Sequence, residues 1–183
     1  FNEGHLNRPE SMLTFGDILY VSSRSGNSLQ LYDISCPLEP RHIGSVNGDH
    51  LDGPYGLVSH GTILYVASYD NDRVQMYDLT TPDAPLPIGQ FNGDRLAGPP
   101  AVAVKGNTLY VASLENNVIV MYDVTDPLQP IHIGEFNENI FRPEGLAIYG
   151  TLLYVTNFPR RSIQIFDISE PRRPKHVGEF NGV

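Results

Sequence analysis

The sequence has no tryptophan and a single cysteine, Cys36, in 183 residues. One thiol can form neither an intrachain disulfide nor a cysteine-based zinc site. Basic residues are scarce: 12 Lys and Arg stand against 21 Asp and Glu, a formal charge of −9. That field repels phosphate backbones and anionic lipid, which argues against a nucleic-acid partner. Long apolar runs are missing too, and none approaches the roughly 18 residues of a spanning helix, so no membrane insertion is expected. The chain opens at Phe1 without Met or a signal peptide, and the expectation is that any targeting segment was removed or never present. A nucleophile elbow, a phosphate-cradling glycine loop and a glycosylation sequon are all absent. Turn formers are plentiful instead, with 17 Gly and 15 Pro, and 40% hydrophobic content is enough for a core. The length predicts one domain over residues 1–183.

Within it one unit recurs four times. Leu19-Tyr20-Val21 returns as Leu64-Tyr65-Val66, Leu109-Tyr110-Val111 and Leu153-Tyr154-Val155, at steps of 45, 45 and 44 residues. Tyr32-Asp33, Tyr77-Asp78, Tyr122-Asp123 and Phe166-Asp167 keep the same frame, as do Gly16, Gly61, Gly106 and Gly150. Ile43-Gly44, Ile88-Gly89, Ile133-Gly134 and Val177-Gly178 close the copies. The repeats run over approximately 1–45, 46–90, 91–135 and 136–183. So many markers in one register mean duplication of a structural unit.

The third copy is the easiest to read. Residues 100–105, 108–113, 118–123 and 131–136 are apolar or β-branched runs divided by Gly106-Asn107, Glu115-Asn116-Asn117 and a Pro-bounded loop. This pattern predicts four short antiparallel strands joined by hairpins. Consecutive large residues, such as Leu109 to Val111 and Ile119 to Met121, predict strands covered on both faces. A lone four-stranded sheet cannot cover both its faces, whereas sheets stacked face to face can. The expected fold is an all-β propeller of four-stranded antiparallel blades, with a β-sandwich as the structural alternative. Three arrangements stay open: a closed four-bladed ring, a piece of a longer natural or engineered array, and half of a larger ring completed by a second chain.

The stretch from Val120 through Tyr122-Asp123-Val124-Thr125-Asp126-Pro127 to Pro130 and Ile133-Gly134 resembles the LVIVD repeat. Phe91-Asn92, Pro99, Ala101 to Val104, Leu109 to Val111 and Asn117 are similar to an NHL-type blade. The likeness extends over all four copies. It implies a propeller and, through the LVIVD association with bacterial and archaeal surface proteins, an extracellular or cell-surface location.

If the resemblance holds, the loops between copies share one end of the blades with the loops joining second and third strands. In the first set His5, His50, Arg95 and Asn139 are equivalent; in the second, Arg24, Tyr69, Leu114 and Phe158 are. These eight residues are the candidate ligand-binding positions. Two histidines with neighbouring carboxylates are zinc-binding chemistry, but Arg95 stands where a third imidazole would complete a catalytic site. Asn2, Asn47, Asn92 and Asn137 could ring a central channel around an ion or water, although Asn-Gly at 47–48 and 92–93 is also a common turn dipeptide. No other cofactor is implied, and neither a catalytic set nor a metal site is assigned. Asp33, Asp78, Asp123 and Asp167 each head a Pro-containing turn, where a carboxylate accepts backbone N–H groups.

Three functions follow. The leading one is a non-enzymatic scaffold presenting variable loops to a protein or small ligand. The second is a metal-dependent hydrolase or lyase working at the central channel. The third is an engineered or excised repeat fragment that self-assembles, as a homo-oligomer, without ligand chemistry.

Overall fold

The computed structural model describes residues 4–48, 51–93 and 95–181. It places sixteen strands in four sheets of four, and in each sheet spatial order follows chain order. Sheet 1 holds β1 (Pro9–Phe15), β2 (Ile18–Ser23), β3 (Ser28–Asp33) and β4 (Arg41–Asn47). Sheet 2 holds β5 (Pro54–His60), β6 (Ile63–Ser68), β7 (Arg73–Asp78) and β8 (Leu86–Asn92). Sheet 3 holds β9 (Val102–Lys105), β10 (Thr108–Ser113), β11 (Val118–Asp123) and β12 (Ile131–Phe136). Sheet 4 holds β13 (Pro143–Tyr149), β14 (Leu152–Asn157), β15 (Ser162–Asp167) and β16 (Lys175–Asn181).

Three of the four strands read from the third copy have the bounds expected of them; the first starts two residues late. Pro100 has no N–H to give a ladder, so pairing begins at Val102, one residue after Ala101, whose carbonyl accepts from the Ala112 amide at 2.9 Å. Each first hairpin turns at the repeated glycine, at φ between 54° and 59°, where an L side chain is strained.

Alternation gives every sheet two faces. Tyr20, Tyr65, Tyr110 and Tyr154 mark one, here called the tyrosine face. Leu19, Leu64, Leu109 and Leu153, one residue earlier on the same strands, mark the leucine face. The chain divides into two compact units, Phe1–Phe91 and Asn92–Val183, with two sheets in each. In the first, Leu13, Tyr20, Leu29 and Leu31 on the tyrosine face of sheet 1 pack against Leu57, Leu64, Val66 and Tyr77 on the leucine face of sheet 2. In the second, Tyr110, Ala112, Ile119 and Met121 of sheet 3 meet Leu146, Leu153, Val155 and Phe166 of sheet 4 in the same way. Full burial of each large aliphatic side chain among them, such as Leu29 or Leu153, contributes about 1.5–3 kcal/mol. The first strands of the paired sheets, β1 with β5 and β9 with β13, lie close together. The fourth strands are exposed edges. These are propeller blades.

The edge strands are protected against further pairing. In β4, β12 and β16 a bulge leaves Ile43, Ile133 and Val177 without a ladder partner, and β8 carries Pro87; both devices disfavour edge-to-edge association. His42, His132 and His176 on these strands sit edge-on to Tyr32, Tyr122 and Phe166. His42 and His176 also bond to the buried Gln30 and Gln164, at 2.9 and 2.7 Å. The aspartates after each third strand cap their turns: Asp33, Asp78, Asp123 and Asp167 accept from the amides of Ser35, Thr80, Thr125 and Ser169 at 2.8–2.9 Å. Hydrogen bonds from Ser35, from Thr125 and from Ser169 hold the Asp33, Asp123 and Asp167 carboxyls below the ordinary 3.8.

Candidate functional site

At one end of each blade the loop between second and third strands lies against the loop entering the first strand. A buried polar residue ends every second strand and ties the two together. The Ser23 hydroxyl accepts from the Asn7 amide at 2.8 Å and donates to its carbonyl at 3.1 Å. Ser68 does the same with Asp52, both bonds 2.9 Å, and Ser113 with Ala97, at 2.9 and 3.4 Å. In the fourth copy Asn157 accepts from the Phe141 amide at 3.0 Å and donates to the Asn139 carbonyl at 2.7 Å. One side chain thus satisfies two backbone groups that would otherwise lack partners. Ser68→Ala should cost about 1–3 kcal/mol by orphaning the Asp52 groups, measured by denaturant unfolding, and should speed amide exchange at Asp52 and Gly53.

Further bonds cross between the sheets of a unit. Asn27, left-handed at φ 46°, accepts from the Gly53 amide at 2.9 Å; Asn117, at φ 58°, accepts from the Arg142 amide at 2.8 Å. Arg24 bonds to Asp70 at 2.9 Å and lies 4.4 Å from the ring centre of Tyr69 and 5.6 Å from that of Tyr55. In the second unit a different pair joins the sheets, with Glu115 facing Arg142 at 3.5 Å. Gly53 is at φ 59°, and a Cβ there would overlap the Asp70 carboxylate. Gly53→Ala should therefore destabilise by about 1–2 kcal/mol from backbone strain alone. It should also displace Asp70 from Arg24, which the chemical shift of the Arg24 side chain would report.

The loop positions singled out by sequence have different surroundings in each copy. Arg24 and Tyr69 begin single 3-10 turns and belong to the cation–aromatic cluster above. Leu114 is buried, only 3% exposed, whereas Phe158 is 65% exposed. His5 stacks on His42 with ring centres 3.8 Å apart. Arg95 faces Glu135 on β12 at 3.4 Å. Asn139 is left-handed, at φ 57°. Asn47 and Asn92 end the outer strands β4 and β8, and Asn137 follows β12, so these amides stand at the exposed edges of their sheets rather than at the first strands. Asn2 and His50 lie outside the described residues. Among the described residues no three His, Cys, Asp or Glu side chains gather into a metal-binding group.

Sequence reasoning missed the clamps and the residues they hold. Asn7, Asp52, Ala97 and Phe141 occupy one repeat position, each giving its amide to the clamp, with four unlike side chains. The signal was available: Ser23, Ser68, Ser113 and Asn157 are polar residues in register at the ends of apolar strands. Phe141 is 40% exposed, with the Arg160 guanidinium 5.5 Å from its ring centre. An open cavity of about 450 Å³ on sheet 4 is lined by Glu144, Thr156, Phe158, Arg161, Ile163 and Phe180, among others.

The family model of the LVIVD repeat matches residues 100–138, the third copy. No curated protein matches the chain. Among solved structures, the periplasmic gluconolactonase of Pseudomonas aeruginosa superposes with a TM-score of 0.80 at 14% identity, covering 94% of this chain and 54% of that one. The computationally designed Ika8 protein gives 0.69 at 13% identity, covering 99% and 51%. A chain of a nidogen–laminin complex gives 0.71 at 16%, covering 98% and 65%. These likenesses are of fold. The chain spans about half the length of the first two.

Proposed function

We propose that this chain is a non-enzymatic recognition module: four rigid blades that hold variable loop residues at one end, working in an assembly that supplies the remaining blades. The repeated clamp is the observation that carries this reading. A serine or asparagine fixes the same loop backbone in every copy, while the residue displayed there changes from Asn7 to Asp52, Ala97 and Phe141. Constant backbone with changing side chains suits binding surfaces carried on rigid scaffolds. Exposed aromatic and guanidinium groups, such as Phe141 with Arg160, are side chains enriched at protein interfaces.

Nitrogen-15 shift mapping with a library of acidic and aromatic peptides tests it. Shifts should gather at 139–142 and 158–161, and Phe141→Ala or Arg160→Ala should abolish them without lowering the melting temperature. Zinc-dependent turnover of gluconolactone that is lost on His5→Ala would overturn the reading in favour of a hydrolase.

A further inference from the structure

The last sheet carries an uncovered tyrosine face. Tyr20, Tyr65 and Tyr110 are fully buried, yet Tyr154 in the same frame is half-exposed. Leu31, Met76 and Met121 are buried where Ile165 is not; Leu29, Val74 and Ile119 are buried where Ile163 is not. Thr156 is half-exposed where Ser22, Ala67 and Ala112 are buried, and Tyr149 at the turn is 81% exposed. The first sheet shows the complementary defect on its leucine face. Met12 is 71% exposed where Leu57, its equivalent in sheet 2, is 9% exposed. Leu19 and Tyr32 are half-buried, whereas Leu64 and Tyr77 are buried. His5 stacks on His42 at the fourth strand of this face, leaving Met12 on the first strand open.

Both units already show what a tyrosine face accepts. Sheet 1 receives the leucine face of sheet 2, and sheet 3 receives that of sheet 4. We infer that the tyrosine face of sheet 4 receives the leucine face of sheet 1 from a second copy of this chain, head to tail. This names the partner in the assembly proposed above. The joint repeats a packing that the chain makes twice internally, so the residues on each side are suited to it by duplication. Tyr154, Ile163 and Ile165 take the roles that Tyr110, Ile119 and Met121 fill against sheet 4. Met12 and Leu19 take those of Leu57 and Leu64 against sheet 1. Each copy leaves one face of each kind uncovered, on sheets 4 and 1, so two copies can make two joints and leave neither face open. A heterologous contact that closes is finite, and the count of eight blades agrees with a chain about half the length of the solved propellers it matches.

The test is the solution mass of the full chain by light scattering. The expected mass is twice the 20.3 kDa of one chain. Tyr154→Glu and, separately, Met12→Asp should each reduce it to one chain with the strand circular dichroism unchanged; Ile163→Asp replaces the first if that variant does not fold. Mixing the two variants should restore a two-chain species, because one joint then has both native faces. A single-chain mass for the parent protein would overturn the inference and assign the face to further blades or another partner. So would a large open series, or a dimer indifferent to Met12→Asp, which would pair sheet 4 with itself. A single-chain mass for the parent protein with peptide shifts intact at Phe141 would sink this joint alone and leave the recognition reading standing.

Discussion

Tyr110→Ala should lower the melting temperature by roughly 10 °C, while Tyr154→Ala, the same change in the same repeat frame, should lower it by only a few degrees at concentrations where chains are separate. Tyr110 is fully buried between sheets 3 and 4, in contact with the cluster around Leu153 and Phe166. Removing a large aromatic from such a site costs about 3–5 kcal/mol, from lost transfer energy and from the cavity left behind. For a chain of this size each kcal/mol is worth about 2–4 °C. Tyr154 keeps contact with water on one side, so both contributions shrink. The hydroxyls separate further. That of Tyr20 donates to the Pro82 carbonyl at 2.5 Å, whereas that of Tyr110 is buried with no partner among the described residues. Tyr110→Phe should therefore be at least as stable as the parent, and Tyr20→Phe less stable by about 1 kcal/mol. Thermal melts of the four variants decide the matter; equal losses at 110 and 154 would mean that the last tyrosine face is covered within the single chain.

Raising the pH should unfold the protein steeply between 10 and about 12. Burial pushes the phenols of Tyr20, Tyr65, Tyr77, Tyr110 and Tyr122 up from 10.0 to about 12, with Asp83 adding to the effect at Tyr20 and Glu135 at Tyr122. A raised folded-state value means that the unfolded chain releases its protons first. The stabilisation is therefore complete below pH 10 and disappears as pH climbs through the folded value. Five groups acting together make the transition sharp. Tyrosinate absorbance and circular dichroism should change together in that window. Ionisation of these five phenols near pH 10 with strand signal intact would contradict their burial. The capping aspartates act at the other extreme: held below 3.8 by their turn bonds, they give up their contribution as pH falls through their folded values.

Much of the architecture was legible because duplication repeats each signal four times. The Leu-Tyr-Val marker located every second strand, and the Gly16 series located every first hairpin. Strand ends were less legible where prolines interrupt the ladder, as at Pro99-Pro100 before β9. Spacing alone also overlooked position along the blade. Asn47 and Asn92 recur in perfect register and invite a ring, yet they end outer strands, because the repeat frame says which residues are equivalent and not how far they stand from the first strand. The loop residues were equivalent without being alike in environment: Leu114 is buried and Phe158 exposed, since what covers a loop is its neighbour, which the repeat unit does not contain. The clamps escaped notice because a serine at a strand end is common; only the two-way bond to Asp52 or Asn7 gives it meaning.

Amide hydrogen exchange along the whole chain is the most direct measurement of the central claim, that one four-stranded unit is the repeating element of the structure. Slow exchange should recur in 18–33, 63–78, 108–123 and 152–167, the second and third strands of each sheet, with faster exchange in the fourth strands, whose outward amides meet water. Protection that ignores the 45, 45 and 44-residue steps, or equally strong protection in β4, β8, β12 and β16, would contradict it.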